Sequence, residues 1–185
     1  RKFNGKTYYG SAGVNLRVSQ QYHTNRGKYN RKITEAQRNA IQSSYKKLWN
    51  AQKRLKKGLI GSVKNLPGVS FIPISSVGCY VPGGQARYPS SAIMSAFTAL
   101  AAGVERIVIT TPPGPDGKVD PMTLAVAGYC DAEIYKVGGA QAIGALAYGT
   151  KTIPRVDKIV GPGGKFVSIA KSLVSDQTAI DMIAG

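Results

Sequence analysis

The segment "ERIVITTPPGPDGKVDPMTLAVAGYCDAEIYKVGGAQAIGALAYG", residues 105–149, decides the fold class. It opens on an apolar run, "IVI", and passes through a loop rich in proline and glycine. A helix then starts at Asp120-Pro121, where an aspartate suits the N-cap and a proline the first helical position. "AEIYKV" gives the next strand and "GGAQAIGALAYG" the next helix. Strands apolar on both faces, each followed by a helix, imply a parallel sheet covered on both sides.

The same rhythm extends in both directions. Upstream, "SVGCYV" is strand-like, and "SSAIMSAFTALAAGV" is an apolar helix with Ser90 or Ser91 as its cap. Downstream, "VDKIVG" and "GKFVSIAKSLV" repeat the strand–helix unit. With right-handed crossovers the expected fold is α/β, a doubly wound, mostly parallel, Rossmann-like sheet. A basic helical arm precedes it: "TEAQ" fits a capping box with Thr34 as N-cap and Gln37 at N3. Ile41, Tyr45, Leu48 and Leu55 follow at helical spacing, and Gly58 offers a C-terminal stop. The expected organisation is a basic, irregular or weakly β segment over 1–32, the helical arm over 33–58, a linker over 59–76 and an α/β cofactor-binding domain over 77–185. That domain stops at "AIDMIAG" without a terminating element and reads as incomplete at its C-terminus.

The formal charge of +16 would point to an acidic partner, but it is unevenly spread. Residues 1–58 hold fifteen Lys/Arg and one acid, Glu35, whereas residues 59–185 hold ten and eight. The α/β portion is therefore near neutral. Cys79 and Cys130 lie in apolar runs at a spacing that fits no disulfide framework or zinc ribbon, so buried free thiols are expected. No 18-residue apolar run and no signal-type h-region occur, which argues against membrane insertion and secretion and makes a cytoplasmic location the default.

In a doubly wound sheet, ligands sit at the C-terminal strand ends. Three glycine-rich loops fall there: "YVPGGQARYPSS", "VGGAQA" and "VGPGGKF". None fits G-x-G-x-x-G or G-x-x-x-x-G-K-[ST], so spacing alone favours tight βα turns over a nucleotide-type ligand site. Arg87, Tyr88 and Lys165 read first as a solvated face, with contact to a phosphate or ribose as the competing reading. Asp157 and Glu133 are expected to pair with lysines rather than to act as acid or base.

The wording of the loops goes further than their spacing. "GCYVPGGQARYPSSAIM", "AGVERIVITTPPGPDGKV", "EIYKVGGAQAIGALAYGTKTIPRVDKIVGPG" and "AIDMIAG" resemble, in order, blocks of the histidinol dehydrogenase family. The resemblance runs from Val77 to Gly185. "RKITEAQRNAIQSSYKKL" is similar to that family's N-terminal helical arm, and residues 1–30 match nothing identified. The resemblance implies a cytoplasmic homodimer that oxidises L-histidinol to L-histidine with NAD, aided by a zinc ion and a Glu-His pair. It implies cofactor contacts at Tyr80, at Gln141 and at the position of the asparagine in the family's "GPGN", which is Gly164 here. The family's substrate serine, zinc ligands and Glu-His pair lie downstream of "AIDMIAG", so no catalytic or metal-binding residue carries over. His23 is the chain's only histidine, and a lone histidine builds no zinc site. The implied role is the cofactor-side portion of the enzyme, inactive alone. The alternative is a non-catalytic α/β remnant or binding module whose basic front end, with Tyr8, Tyr9, Tyr22 and Tyr29 among its cations, contacts nucleic acid.

Overall fold

The computed structural model describes residues 2–3, 6–7, 33–83 and 86–182. Strands β1 (Lys2–Phe3) and β2 (Lys6–Thr7) pair antiparallel, with Lys2 opposite Thr7. The rest of the front segment, His23 included, lies outside the described residues, as do Gly84 and Gln85.

Five parallel strands form the main sheet: β3 (Ser76–Tyr80), β4 (Arg106–Thr111), β5 (Glu133–Lys136), β6 (Lys158–Val160) and β7 (Ala179–Ile180). Their spatial order is β5-β4-β3-β6-β7. The crossover from β3 to β4 is a continuous helical run: α2 (Pro89–Ala92), a π-helical turn (Ile93–Phe97) and α3 (Thr98–Ala102). Helix α4 (Pro121–Tyr129) links β4 to β5. Helix α5 (Gly139–Tyr148) carries the chain back across the sheet to β6, and α6 (Lys165–Leu173) leads to β7. The strand order reverses beside β3, as in a doubly wound sheet. The sequence pattern showed four strand–helix units, and β7 is the strand it missed. With two residues and only β6 beside it, β7 carries no apolar run to announce it.

Two apolar clusters account for the strand composition. On one face Val77, Cys79, Ile107, Ile109 and Ile134 meet Ala96 and Phe97 of the π-helical turn and Leu124 and Val126 of α4. On the other, Tyr80, Val108, Tyr135 and Ile159 meet Ile143, Leu146 and Val167 of α5 and α6. Successive strand side chains point to opposite faces, so a sheet covered twice needs an apolar residue at nearly every position. Each fully buried Ile or Val side chain contributes roughly 1.5–3 kcal/mol.

Helix α1 (Glu35–Val63) opens with the expected capping box: Thr34 Oγ1 accepts from Gln37 N–H at 3.2 Å, and Gln37 Oε1 accepts from Thr34 N–H at 2.8 Å. Its first half is docked on the first cluster. Ile41 is fully buried, and Tyr45 meets Phe97 edge-on at 5.0 Å and stacks on Tyr129 at 6.2 Å. Aromatic pairs of this kind add about 0.5–1.5 kcal/mol each beyond area burial. The helix does not stop at Gly58. A glycine inside a helix costs only about 1 kcal/mol, and Lys56 Nζ, which donates to the Ala102 carbonyl at 2.8 Å, ties this stretch to the C-terminal end of α3.

Two further expectations are corrected. Ser90 and Ser91 do not cap their helix; Pro89 occupies the first helical position and Tyr88 the N-cap, without a side-chain cap bond. Ser91 is instead buried in the first turn, where its carbonyl accepts from Ser95 Oγ at 2.7 Å as the π-helical turn begins. Asp157 and Glu133 do not pair with lysines. Asp157 Oδ2 accepts from Ser76 N–H and Oγ–H, both at 2.7 Å, while Glu133 accepts from Arg106 Nε at 2.8 Å and Tyr135 O–H at 2.7 Å. Strand register sets both choices, because it brings one strand's start against its neighbour's.

Candidate functional site at the C-terminal edge of the sheet

β3 and β6 are the adjacent strands from which the chain departs in opposite directions, so their C-terminal ends form the switch-point crevice. Three segments meet there. Tyr80 ends β3; its ring is buried in the second apolar cluster, and its hydroxyl accepts from Gly139 N–H at 3.0 Å. That bond joins the end of the central strand to the first residue of α5, although 59 positions separate the two in sequence. It also places Gln141, exposed in the first turn of α5, next to the end of β3. The amide Oε1 of Gln141 lies 2.8 Å from where a Cβ on Gly139 would stand, so this side chain folds back toward the helix start.

The third segment is Gly161–Gly164, between β6 and α6. Gly161 has φ +115°, and a Cβ added to it would run into the Tyr80 carbonyl. Only glycine permits both the backbone angle and the contact. Its N–H donates to Asp181 and its carbonyl accepts from Lys171. Gly164 is the exposed N-cap of α6, with φ −72° and ψ 179° and open space where a side chain would stand. Gly138 shows close approach of another kind: a Cβ there would lie 2.6 Å from the Pro112 ring, so the loops after β4 and β5 are pressed together.

Helices α5 and α6 both begin at this edge, and neither has a side-chain cap, because Gly138 and Gly164 are their N-caps. The first-turn N–H groups of a helix lack intrahelical partners and carry partial positive charge. Two such helix starts, with small residues that let a ligand reach the backbone, suit an anionic group such as the pyrophosphate of a dinucleotide. A metal does not fit: among the described residues, no three of His, Cys, Asp and Glu gather as a metal-binding group. Beside Tyr80, its register partner Thr110 is fully buried, and its hydroxyl has no partner among the described residues.

The structure thus brings Tyr80, Gln141 and the Gly164 loop to one edge. Arg87 and Lys165 are exposed, and Arg87 Nε lies 3.4 Å from Oδ1 of the half-buried Asp120. Both cysteines are buried and unpaired. Burial pushes the Cys79 thiol up to about 12, against a small lowering by its hydrogen bond with Ser95, and holds Cys130 well above the ordinary thiol range. Neither is a nucleophile at neutral pH. Sequence reasoning passed over Gly161, Lys171 and Asp181. Their only signal was a lysine on what spacing makes the inner face of α6.

A sequence model of histidinol dehydrogenase matches residues 2–185. The chain belongs to the histidinol dehydrogenase family. The front segment, left unmatched by the sequence reading, falls within that span. Among curated relatives, the histidinol dehydrogenase of a Synechococcus species is 56% identical over 119 residues, covering 64% of this chain and 27% of the relative. That of Bacillus licheniformis is 57% identical over 119 residues, 64% of this chain and 28% of the relative. The crystal structure of histidinol dehydrogenase from Elizabethkingia anophelis superposes with a TM-score of 0.74 at 25% identity, over 97% of this chain and 49% of that one. The chain therefore spans about half the length of this solved relative, and its aligned part little more than a quarter of the curated ones. Among the described residues, no helix is long and apolar enough to cross a membrane.

Proposed function

We propose that this chain is the cofactor-side portion of an NAD-dependent histidinol dehydrogenase, with Tyr80, Gln141 and the Gly164 loop holding the dinucleotide. The observation that carries this reading is the convergence of three segments on Tyr80, whose hydroxyl accepts from Gly139 N–H at 3.0 Å and whose carbonyl is pressed against Gly161. When bound, NAD⁺ accepts hydride in the oxidation of L-histidinol toward L-histidine. The roles of this chain are positional. The starts of α5 and α6 face the pyrophosphate charge, Tyr80 fixes the α5 start against β3, and Gln141 presents an amide at the same edge.

The complete enzyme on this reading is a cytoplasmic homodimer with a zinc ion, whose ligands come from residues other than those described here; no step through the metal is assigned to this chain. A nucleic-acid role for the basic front end is not favoured, since residues 2–185 as a whole match an enzyme family. The test is calorimetric titration of the folded chain with NAD⁺. Saturable binding that Tyr80→Ala abolishes supports the reading, and an unchanged affinity in that variant sinks it. The chain alone, supplied with zinc and L-histidinol, is expected to form no NADH.

A further inference from the structure

Helix α6 carries a lysine where its neighbours are apolar or solvent-facing. Lys171 is 3% exposed, while Leu173 is 74% exposed. A buried ammonium is tolerated only when its protons are satisfied, and it has three of them. Lys171 finds three acceptors: the Asp181 carboxylate, the Gly161 carbonyl at 3.1 Å and the Met182 carbonyl at 3.2 Å. Asp181 completes the arrangement. Its Oδ2 accepts from Gly161 N–H at 2.8 Å, and its Oδ1 accepts from Met182 N–H at 2.7 Å as well as from Lys171.

Both polar groups of Gly161 are thus gripped by two oppositely charged side chains. Core stability alone does not call for this, because a well-packed apolar pair in place of a buried ion pair is often as stable. An ion pair that converges on one peptide group instead fixes that group's position and orientation. Gly161 is the residue pressed against the Tyr80 carbonyl, and three residues later Gly164 starts α6. We infer that Lys171 and Asp181 are positioning residues for the dinucleotide: without touching it, they set the Gly161–Gly164 loop and the start of α6 against Tyr80. This inference rests on the NAD reading above.

The experiment measures NAD⁺ affinity and thermal stability together, on the whole chain. The variants are Lys171→Met, Asp181→Asn and the double variant Lys171→Met/Asp181→Leu. The double variant leaves no unpaired buried charge and is expected to stay folded, as circular dichroism would show. Ser76→Ala is the control; it removes hydrogen bonds to Asp157 at the opposite end of the sheet. The expected result is a Kd raised about ten-fold or more in the folded double variant, the effect of losing charge-assisted bonds that orient a binding loop. The control is expected to lose stability while its Kd stays within about two-fold, as for a distant, independent site. A folded double variant that binds NAD⁺ like the parent chain overturns the inference and leaves the NAD reading intact. A parent chain that does not bind NAD⁺ at all overturns both.

Discussion

Gly164 offers a direct probe of the edge, because it stands where the family resemblance places an asparagine. The perturbation is Gly164→Asn. The backbone at φ −72° and ψ 179° is extended and suits any residue, and nothing lies within 4 Å of the new Cβ. The substitution therefore introduces neither strain nor overlap. The asparagine oxygen is placed to accept from the first-turn N–H groups of α6, which now have no side-chain cap. Replacing glycine by asparagine at an N-cap is worth only a few tenths of a kcal/mol. Reduced freedom of the unfolded chain adds about 0.4–1 kcal/mol. At roughly 2–4 °C per kcal/mol for a chain of this size, Tm should rise by about 1–5 °C. The amide NH₂ remains available to a ligand in the crevice. One net hydrogen bond of about 0.5–1.5 kcal/mol corresponds to a two- to twelve-fold lower Kd for NAD⁺. Thermal melts and calorimetric titration at one salt concentration check both numbers. A raised Tm with an unchanged Kd would refute the placement of this loop against the cofactor, and a lowered Tm would refute the geometry assigned to the N-cap.

Two further outcomes are expected. Gly161→Ala forces a side chain into a left-handed backbone and against the Tyr80 carbonyl, so it should destabilise the chain by about 2–5 kcal/mol in denaturant unfolding; a loss below about 1 kcal/mol would contradict the close contact. Burial acts to raise the Asp181 carboxyl, but hydrogen bonds from Lys171, Gly161 and Met182 outweigh it and hold the group below its ordinary value. Its stabilising contribution is therefore present above the unfolded value of about 4 and is lost as pH falls through the lower folded value. Stability measured from pH 6 to pH 2 should drop less steeply in Asp181→Asn than in the parent, and parallel curves would count against the pairing.

The sequence revealed what is local. The "IVI" run, the Asp120-Pro121 start and the Thr34–Gln37 capping box each state their structure within a few residues, and all three stand as read: Asp120 Oδ2 accepts from Thr123 N–H at 3.0 Å. Expectations failed where distant parts decide. Gly58 reads as a helix stop until Lys56 is seen anchored on α3. Ser90 and Ser91 read as caps until Pro89 takes the first helical position. The two-residue β7 exists only because β6 offers it an edge. The candidate site was legible as three separate loops. Their union was not, since the bond from Gly139 to Tyr80 spans 59 positions and the grip on Gly161 pairs Lys171 with Asp181 across the turn between α6 and β7.

The hydrogen bond at Tyr80 also constrains the polarity of whatever approaches it. The phenolic oxygen is already engaged as an acceptor by Gly139 N–H, and its own proton remains to be donated. That proton suits a lone pair, as a ribose, carbonyl or phosphate oxygen brings. The bond that fixes the strand end to the start of α5 thus orients a donor at the same edge where the helix-start N–H groups are donors too.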